Sequence, residues 1–299
     1  MSRTRTRILA GAAVLAALTV AAPAVSAAAD GGSRGGQAAE GRHSGESLTA
    51  VGLTPDGRSL VTFATDRPER ARGLGPVQGL AGDTRLVGID HRPATGVLYG
   101  VGDKGGVYTL TGAKATKVSQ LSTALTGTSF GVDFNPVVDR LRIVSDSGQN
   151  LRHDVTAQGG TIADGTLTYP AAPPATTPTT ATGVTGAAYT NNDASTATAT
   201  TLFDIDTARD QVVIQSPANA GLLAATGALG VDATGDAGFD VYSQVRKGTA
   251  VELFPYASLK VGDRYALYEV SLLSGAVSLE GTFPRDRQVS DLSFAPGQL

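Results

Sequence analysis

The stretch that decides the fold is Ser129–Val155, SFGVDFNPVVDRLRIVSDSGQNLRHDV. Within it, Phe130 to Phe134 predicts a short buried strand. Asn135-Pro136 ends that strand, because proline lacks an N–H group and pushes the preceding residue towards extended or turn geometry. The stretch therefore begins with one strand followed by a turn.

The rest of the same stretch predicts two further strands. Leu141 and Ile143 alternate with Arg142, which is the period of a half-buried strand. The polar cluster from Asp146 to Asn150 is typical of a turn, and Leu151 to Val155 has the composition of a third strand. Together these patterns indicate an antiparallel meander.

The first strand of this meander recurs along the chain. Five segments share a small residue, an apolar residue and, in four of them, an aspartate: Val87–Asp90, Phe130–Asp133, Thr185–Ala188, Ala237–Asp240 and Val289–Asp291. Successive copies begin 43 to 55 residues apart, close to the roughly 40 to 50 residues of a four-stranded propeller blade. Each of the first four copies is followed by three more strand-like runs, which predicts one blade per copy.

The two ends of the repeat region complete each other. Val289 to Phe294 forms an innermost strand with no partners after it, whereas Leu48 to Val77 contains three strands with no innermost strand before them. Pairing them closes the ring and removes two free sheet edges. We therefore expect an all-β fold over residues 47–299, a five-bladed β-propeller, with six or seven blades or an irregular β-solenoid as alternatives.

The start of the chain has the pattern of an export signal. Three arginines precede the apolar run from Ile8 to Val20, and the small residues Val25-Ser26-Ala27 resemble a signal peptidase site. A membrane anchor is the competing interpretation, but the run is shorter than the roughly 20 residues of a spanning helix. We expect residues 1–27 to be a signal peptide, residues 28–46 a flexible tether, and the mature protein to be secreted or attached to the cell envelope.

Composition narrows the function classes. The chain has no cysteine, which excludes disulfides and thiol chemistry. Removal of the three arginines of the signal would make the formal net charge of −3 more negative by three. A mildly acidic protein without clustered basic residues is a poor ligand for phosphate backbones. We expect no nucleic-acid partner, no membrane span in the mature chain, and a monomer.

Several short runs resemble one known family. They include Gly88–Pro93, Gly131–Pro136, Asp139–Arg142, Ser145–Asn150, Ala188–Asn191, Leu202–Asp206, Pro217–Gly221 and Gly238–Val241. These runs resemble the bacterial secreted family catalogued as domain of unknown function 4394. The resemblance covers nearly all of the mature chain and implies propeller-like repeats. It implies no activity, because the family has none established.

The repeated aspartates are the candidate ligand-binding residues. Asp90, Asp133, Asp240 and Asp291 occupy equivalent places in four of the five repeats, so a propeller would bring them together around its axis. Converging carboxylates could hold a hard cation such as Ca²⁺, which is the one cofactor the sequence suggests. Alternatively, each aspartate accepts backbone N–H groups at its own turn. His91 follows Asp90 and could also reach the channel.

The sequence contains no recognisable catalytic constellation. Its three histidines are too scattered for a three-histidine zinc site, and neither His91 nor His153 is expected beside a plausible nucleophile. This favours a non-enzymatic binding or scaffold module that presents one propeller face to an extracellular or envelope ligand. The alternative, by fold analogy, is a metal-dependent hydrolase or lactonase-like enzyme with its site in the central channel.

Overall fold

The computed structural model describes residues 46–299, where five four-stranded antiparallel sheets are arranged as a β-propeller. The predicted number of blades is therefore confirmed. The predicted signal peptide lies outside the described residues, as does the predicted tether except for Glu46. Among residues 46–299, no helix has the length and apolar character needed to cross a membrane.

The strands of each blade follow one another from the axis outwards. Blade 1 contains β1 (Thr49–Leu53), β2 (Ser59–Ala64) and β3 (Arg72–Pro76). Blade 2 contains β4 (Leu86–Arg92), β5 (Val97–Gly102), β6 (Gly106–Thr111) and β7 (Lys114–Gln120). Blade 3 contains β8 (Phe130–Asn135), β9 (Arg140–Ser145), β10 (Asn150–His153) and β11 (Thr161–Ala163).

Between blades 3 and 4 the chain forms a hairpin that belongs to none of the five four-stranded sheets. A small hairpin pairs β12 (Thr168–Tyr169) with β13 (Thr179–Thr180). Blade 4 contains β14 (Val184–Tyr189), β15 (Leu202–Asp206), β16 (Gln211–Gln215) and β17 (Leu223–Ala228). Blade 5 contains β18 (Ala233–Arg246), β19 (Thr249–Val261), β20 (Arg264–Val270) and β21 (Val277–Thr282), and the chain ends with β22 (Asp291–Phe294).

The last strand closes the ring as the sequence predicts. β22 is the innermost strand of blade 1 and pairs antiparallel with β1, from Leu53 opposite Asp291 to Ala50 opposite Phe294. Leu292 and Phe294 are buried in a core that includes residues of blades 1 and 5. Both chain ends of the propeller are thus held in one sheet, and no innermost strand is missing.

The hydrophobic core lies between neighbouring blades. Phe203 and Ile205 of blade 4, for example, belong to the same buried cluster as Phe239 and Val241 of blade 5. Each blade is covered on both faces by its neighbours, so its middle strands are buried on both faces. Period-two alternation in such a strand does not mark a solvent-exposed side.

Arg142 shows this difference from the sequence-based expectation. The alternation of β9 predicts Arg142 on the half-exposed side, but the residue is 1% exposed and lies between blades 3 and 4. Its guanidinium donates hydrogen bonds to Asn150 Oδ1 (2.6 Å), Asp164 Oδ2 (2.7 Å) and Asn219 Oδ1 (2.8 Å). These bonds compensate for the loss of hydration that burial of a charge entails.

Truncation before β22 tests the closure of the ring. A chain that ends at Arg287 lacks the strand that pairs with β1, so we expect it to aggregate or to lose cooperative urea unfolding. A synthetic peptide of residues 288–299 should restore cooperative unfolding, and a scrambled peptide of the same composition should not. Unfolding of the truncated chain at the same urea concentration as the full chain would contradict closure by β22.

Candidate functional site

The innermost strands approach one another closely because each of four carries a glycine at the same place. A Cβ atom on Gly131 would lie 2.6 Å from the backbone nitrogen of Ala187, and one on Gly238 would lie 2.5 Å from Cα of Asp291. Only glycine fits a contact of this kind. Two residues after each of these glycines, a side chain reaches towards the next blade: Asp90, Asp133, Ala188 and Asp240. In blade 1 the corresponding residue is Ser293.

Four of these five side chains accept a backbone hydrogen bond from the following blade. The donors and distances are His91 N to Ser293 Oγ (2.8 Å), Phe134 N to Asp90 Oδ2 (2.8 Å), Tyr189 N to Asp133 Oδ1 (3.0 Å) and Phe294 N to Asp240 Oδ2 (2.7 Å). Each donor directly follows, in its own blade, the residue at the position of these five side chains; His91, for example, follows Asp90. The contacts satisfy buried N–H groups that would otherwise lack a partner.

Asp291 is not equivalent to the other three aspartates, and this prediction was wrong by two residues. Asp291 stands at the glycine place of blade 1, and Ser293 stands at the aspartate place. The carboxylate of Asp291 accepts hydrogen bonds from Ile89 N (2.8 Å) and Leu292 N (2.9 Å). The hydrogen-bond register between blades, and not the residue type, determines which residues correspond.

Blade 4 makes its contact with blade 5 in a different way. Ala188 has no side-chain acceptor, so the inter-blade hydrogen bond made by the other four side chains is missing here. Asn192, in the loop after β14, donates from its backbone N to Ser243 Oγ (3.1 Å) and from Nδ2 to the carbonyl oxygen of Val241 (3.3 Å). The hydrogen bonds between blades 4 and 5 therefore lie further along the channel.

Three of the predicted site residues do come together. One carboxylate oxygen from each of Asp90, Asp133 and Asp240 lies within 4.8 Å of the others. The three residues are only 5%, 4% and 3% exposed. Burial raises the pKa of Asp240 to about 7, and burial together with neighbouring carboxylates raises the pKa values of Asp90 and Asp133 well above their ordinary range. The group therefore holds protons at a pH where exposed carboxylates are ionised.

His91 lies beside this group but does not complete a catalytic triad. Its Nδ1 is 2.9 Å from Ser293 Oγ, and that hydroxyl donates to Asp90 Oδ1 (2.8 Å). A serine nucleophile requires the imidazole between the hydroxyl and the carboxylate, whereas here the hydroxyl lies between the other two groups. Burial also lowers the pKa of His91 to about 4, so the ring is neutral.

Each of these two histidines nevertheless contacts a serine hydroxyl. His91 contacts Ser293, and His153 Nε2 is 2.9 Å from Ser119 Oγ. The Nδ1 atom of His153 is 3.0 Å from the hydroxyl of Thr161 rather than from a carboxylate. Both histidines bridge strands of the fold, and neither has the hydrogen-bond order of a nucleophilic site.

A cavity of about 380 Å³ lies at the end of the channel where the innermost strands begin. We call it the mouth cavity. Four of the five blades contribute to its lining, which includes Asp56, Arg85, Ser129, Asp236, Lys260 and Tyr265. A second cavity of about 10 Å³, large enough for about one water molecule, also borders Arg85 and Asp236 and extends to Asp291. None of the site residues predicted from the sequence lines the mouth cavity.

Charges of both signs line the mouth cavity. Arg85 and Lys260 are half-buried, and neither head group makes a salt bridge or hydrogen bond within residues 46–299. Burial raises the pKa of Asp236, while a hydrogen bond from Ser129 and the positive charges of Arg85 and Lys260 act in the opposite direction. Both cations are thus close enough to Asp236 to affect its ionisation.

The family model "Domain of unknown function (DUF4394)" matches residues 59–293, from β2 into β22. The chain belongs to this family. The resemblance inferred from the short sequence runs is thereby confirmed. No curated protein is significantly similar in sequence. The DUF4394 match includes strands of all five blades and begins after β1, the strand that pairs with β22.

Several solved structures resemble this DUF4394 chain. An auxiliary nutrient binding protein from Bacteroides thetaiotaomicron is 13% identical, with a TM-score of 0.43; the match covers 81% of this chain and 61% of that one. A chain of a nidogen–laminin complex is 9% identical, with a TM-score of 0.46 and coverage of 85% and 100%. A candidate 6-phosphogluconolactonase from Bacteroides uniformis is 12% identical, with a TM-score of 0.37 and coverage of 79% and 82%. Each likeness concerns the fold alone.

The buried carboxyl group of Asp240 should make stability depend on pH. Its pKa rises from the ordinary 3.8 to about 7 on folding, so its contribution to the free energy of unfolding is complete below the ordinary value and is lost as pH rises through about 7. We expect urea unfolding to show a loss of at least about 1 kcal/mol between about pH 5 and pH 8. Asp240→Asn should reduce that loss.

The matched control for this experiment is Asp263→Asn, because the Asp263 side chain is 79% exposed. This variant should keep the pH dependence of the wild type. An Asp240→Asn variant whose free energy of unfolding falls with pH as steeply as that of the wild type would contradict the assignment of the effect to the channel carboxyls.

Proposed function

We propose that this protein is a binding module that takes a small polar ligand in the mouth cavity. The observation that carries the proposal is the pair of half-buried cations, Arg85 and Lys260, whose head groups make no salt bridge or hydrogen bond within residues 46–299 and which line the same cavity as Asp236. Charged groups held partly out of water are costly unless they are paired. A ligand that pairs with them would therefore gain charge-assisted hydrogen bonds.

The fold suits a preformed binding site. Arg85 and Ser129 immediately precede innermost strands β4 and β8, while Asp236 lies near the beginning of β18. The hydrogen bonds between innermost strands hold these three starting points relative to one another. A site whose groups are already in place loses less conformational entropy when its ligand binds.

The proposed location of the protein agrees with such a role. The N-terminal pattern of residues 1–27 supports export, which would place the propeller outside the cytoplasmic membrane. One propeller face then meets ligands of the cell exterior or the envelope. The absence of cysteine from the chain is compatible with this location, since the large propeller core needs no disulfide.

A metal-dependent hydrolase is the second function class, and the approach of Asp90, Asp133 and Asp240 is the observation in its favour. A catalytic metal needs an open coordination position for water or substrate. These three carboxyls are almost fully buried, and each already accepts a backbone N–H from another blade. The geometry therefore supports the binding module better than the hydrolase.

Nuclear magnetic resonance can test binding at the mouth cavity. Three probe mixtures, one of neutral hexoses, one of sugar acids and one of amino acids, are added separately to the isotope-labelled protein. We expect at least one mixture to shift the amide signals of Arg85, Asp236 and Lys260, and Arg85→Ala to weaken the effect about tenfold. Shifts confined to the opposite face, or no shifts with any mixture, would overturn the proposal.

A calcium titration separates the two function classes. A ligand that binds only the native state raises the melting temperature by mass action. The binding-module proposal predicts the same melting temperature with millimolar calcium, magnesium or manganese as with chelator. A rise in the wild type that disappears in Asp240→Asn but persists in Asp263→Asn would favour the metal-dependent alternative.

A further inference from the structure

Charges of both signs line the end of the channel that opens into the mouth cavity. Arg85, in the segment that leads into β4, and Lys260, at the end of β19, supply the positive charges. Asp236 lines the same cavity, and Asp291 lines the small adjoining cavity. The carboxylates of Asp236 and Asp240 both raise the pKa of Asp291, so the acidic groups continue from the mouth into the channel.

A ligand with a single charge fits this arrangement poorly. An anion paired with Arg85 or Lys260 would lie in the same cavity as Asp236 and be repelled by it. A cation paired with Asp236 would be repelled by the two basic residues. Since all three residues line one cavity of about 380 Å³, either ligand would meet a charge of its own sign there, and that repulsion costs free energy.

From this arrangement, and resting on the proposed function of the mouth cavity, we infer that the ligand is a small zwitterion of amino-acid size. Its carboxylate lies between Arg85 and Lys260, and its ammonium group lies against Asp236. A guanidinium group recognises a carboxylate through two parallel hydrogen bonds. The two charged ends of one molecule then pair with the basic and the acidic residues at once.

The remaining lining agrees with this ligand class. Tyr265 is one of the lining residues, and aromatic rings stabilise ammonium groups. Burial raises the pKa of its phenol, so the hydroxyl stays protonated and adds no negative charge. The volume also suits the class, since pockets for small molecules begin at about 300 Å³.

A matched set of compounds tests the inference. Each of the common amino acids is titrated by calorimetry, and the tightest binder is compared with its carboxylate analogue lacking the amino group and its amine analogue lacking the carboxylate. We expect at least one amino acid to bind and both of its analogues to bind at least about tenfold more weakly. An analogue that binds as tightly as its parent amino acid would overturn the inference.

Four variants locate the two charges. Asp236→Asn should weaken the amino acid at least about tenfold and leave the carboxylate analogue unchanged or bound more tightly. Arg85→Ala and Lys260→Ala should weaken both compounds. Lys247→Ala is the control, because Lys247 follows the far end of β18 and lies outside the cavity. Equal weakening of both compounds by Asp236→Asn would contradict the proposed position of the ammonium group.

The same experiment distinguishes failure of the inference from failure of the proposed function. If a sugar acid or another singly charged compound shifts the signals of the mouth cavity and no amino acid does, binding at the mouth stands and the zwitterion is wrong. If no compound of any charge class binds there, both proposals are wrong.

Discussion

The rest of the structure depends on one hydrogen bond that is repeated around the axis. A short polar side chain on one innermost strand accepts the backbone N–H of the innermost strand in the next blade. An innermost strand has one edge paired within its blade and one edge facing the channel, where its N–H groups would be buried without partners. The side-chain acceptor solves this problem, and the glycine two residues earlier allows the strands to come close enough for it.

This constraint also explains the unusual chemistry of the channel. The acceptors are mostly aspartates, and five blades bring them to one axis, so three carboxyls meet in a small buried space. Their raised pKa values are a consequence of that role, because burial and mutual repulsion both disfavour the charged forms. A perturbed pKa often marks a functional site, but here the hydrogen bonds provide a structural reason. The head groups of Arg85 and Lys260, at the mouth cavity, make no hydrogen bonds within residues 46–299 that would give them a structural role of this kind.

Much of the fold could be predicted because its repeated element is short and local. The glycine, the apolar residue and the aspartate recur in sequence since every blade must make the same close approach to its neighbour. The position of Asp291 was misjudged because blade 1 replaces both characteristic residues, placing aspartate where the other four blades have glycine and Ser293 where three of them have aspartate. Arg142 was misjudged because alternation cannot distinguish solvent from a second neighbouring blade.

The mouth cavity could not be derived in the same way. Its residues come from segments far apart in the chain, and Arg85, Asp236 and Lys260 share no motif. One signal was nevertheless available, because residues just before each predicted innermost strand must converge at one end of a propeller. Reading those positions together would have drawn attention to Arg85 and Ser129. The place of Lys260 in the mouth cavity can be seen only in the structure, because it depends on the length of β19.

Amide hydrogen exchange measured residue by residue tests the inter-blade hydrogen bond most directly. The account predicts that Asp133→Ala accelerates exchange of the Tyr189 N–H, which loses its acceptor, while the Phe134 N–H stays protected by Asp90. Asp133→Asn keeps an acceptor oxygen and should leave Tyr189 protected. If the Tyr189 N–H exchanges in Asp133→Ala at the rate measured in the wild type, the side-chain contacts do not hold the innermost strands together, and the account is wrong.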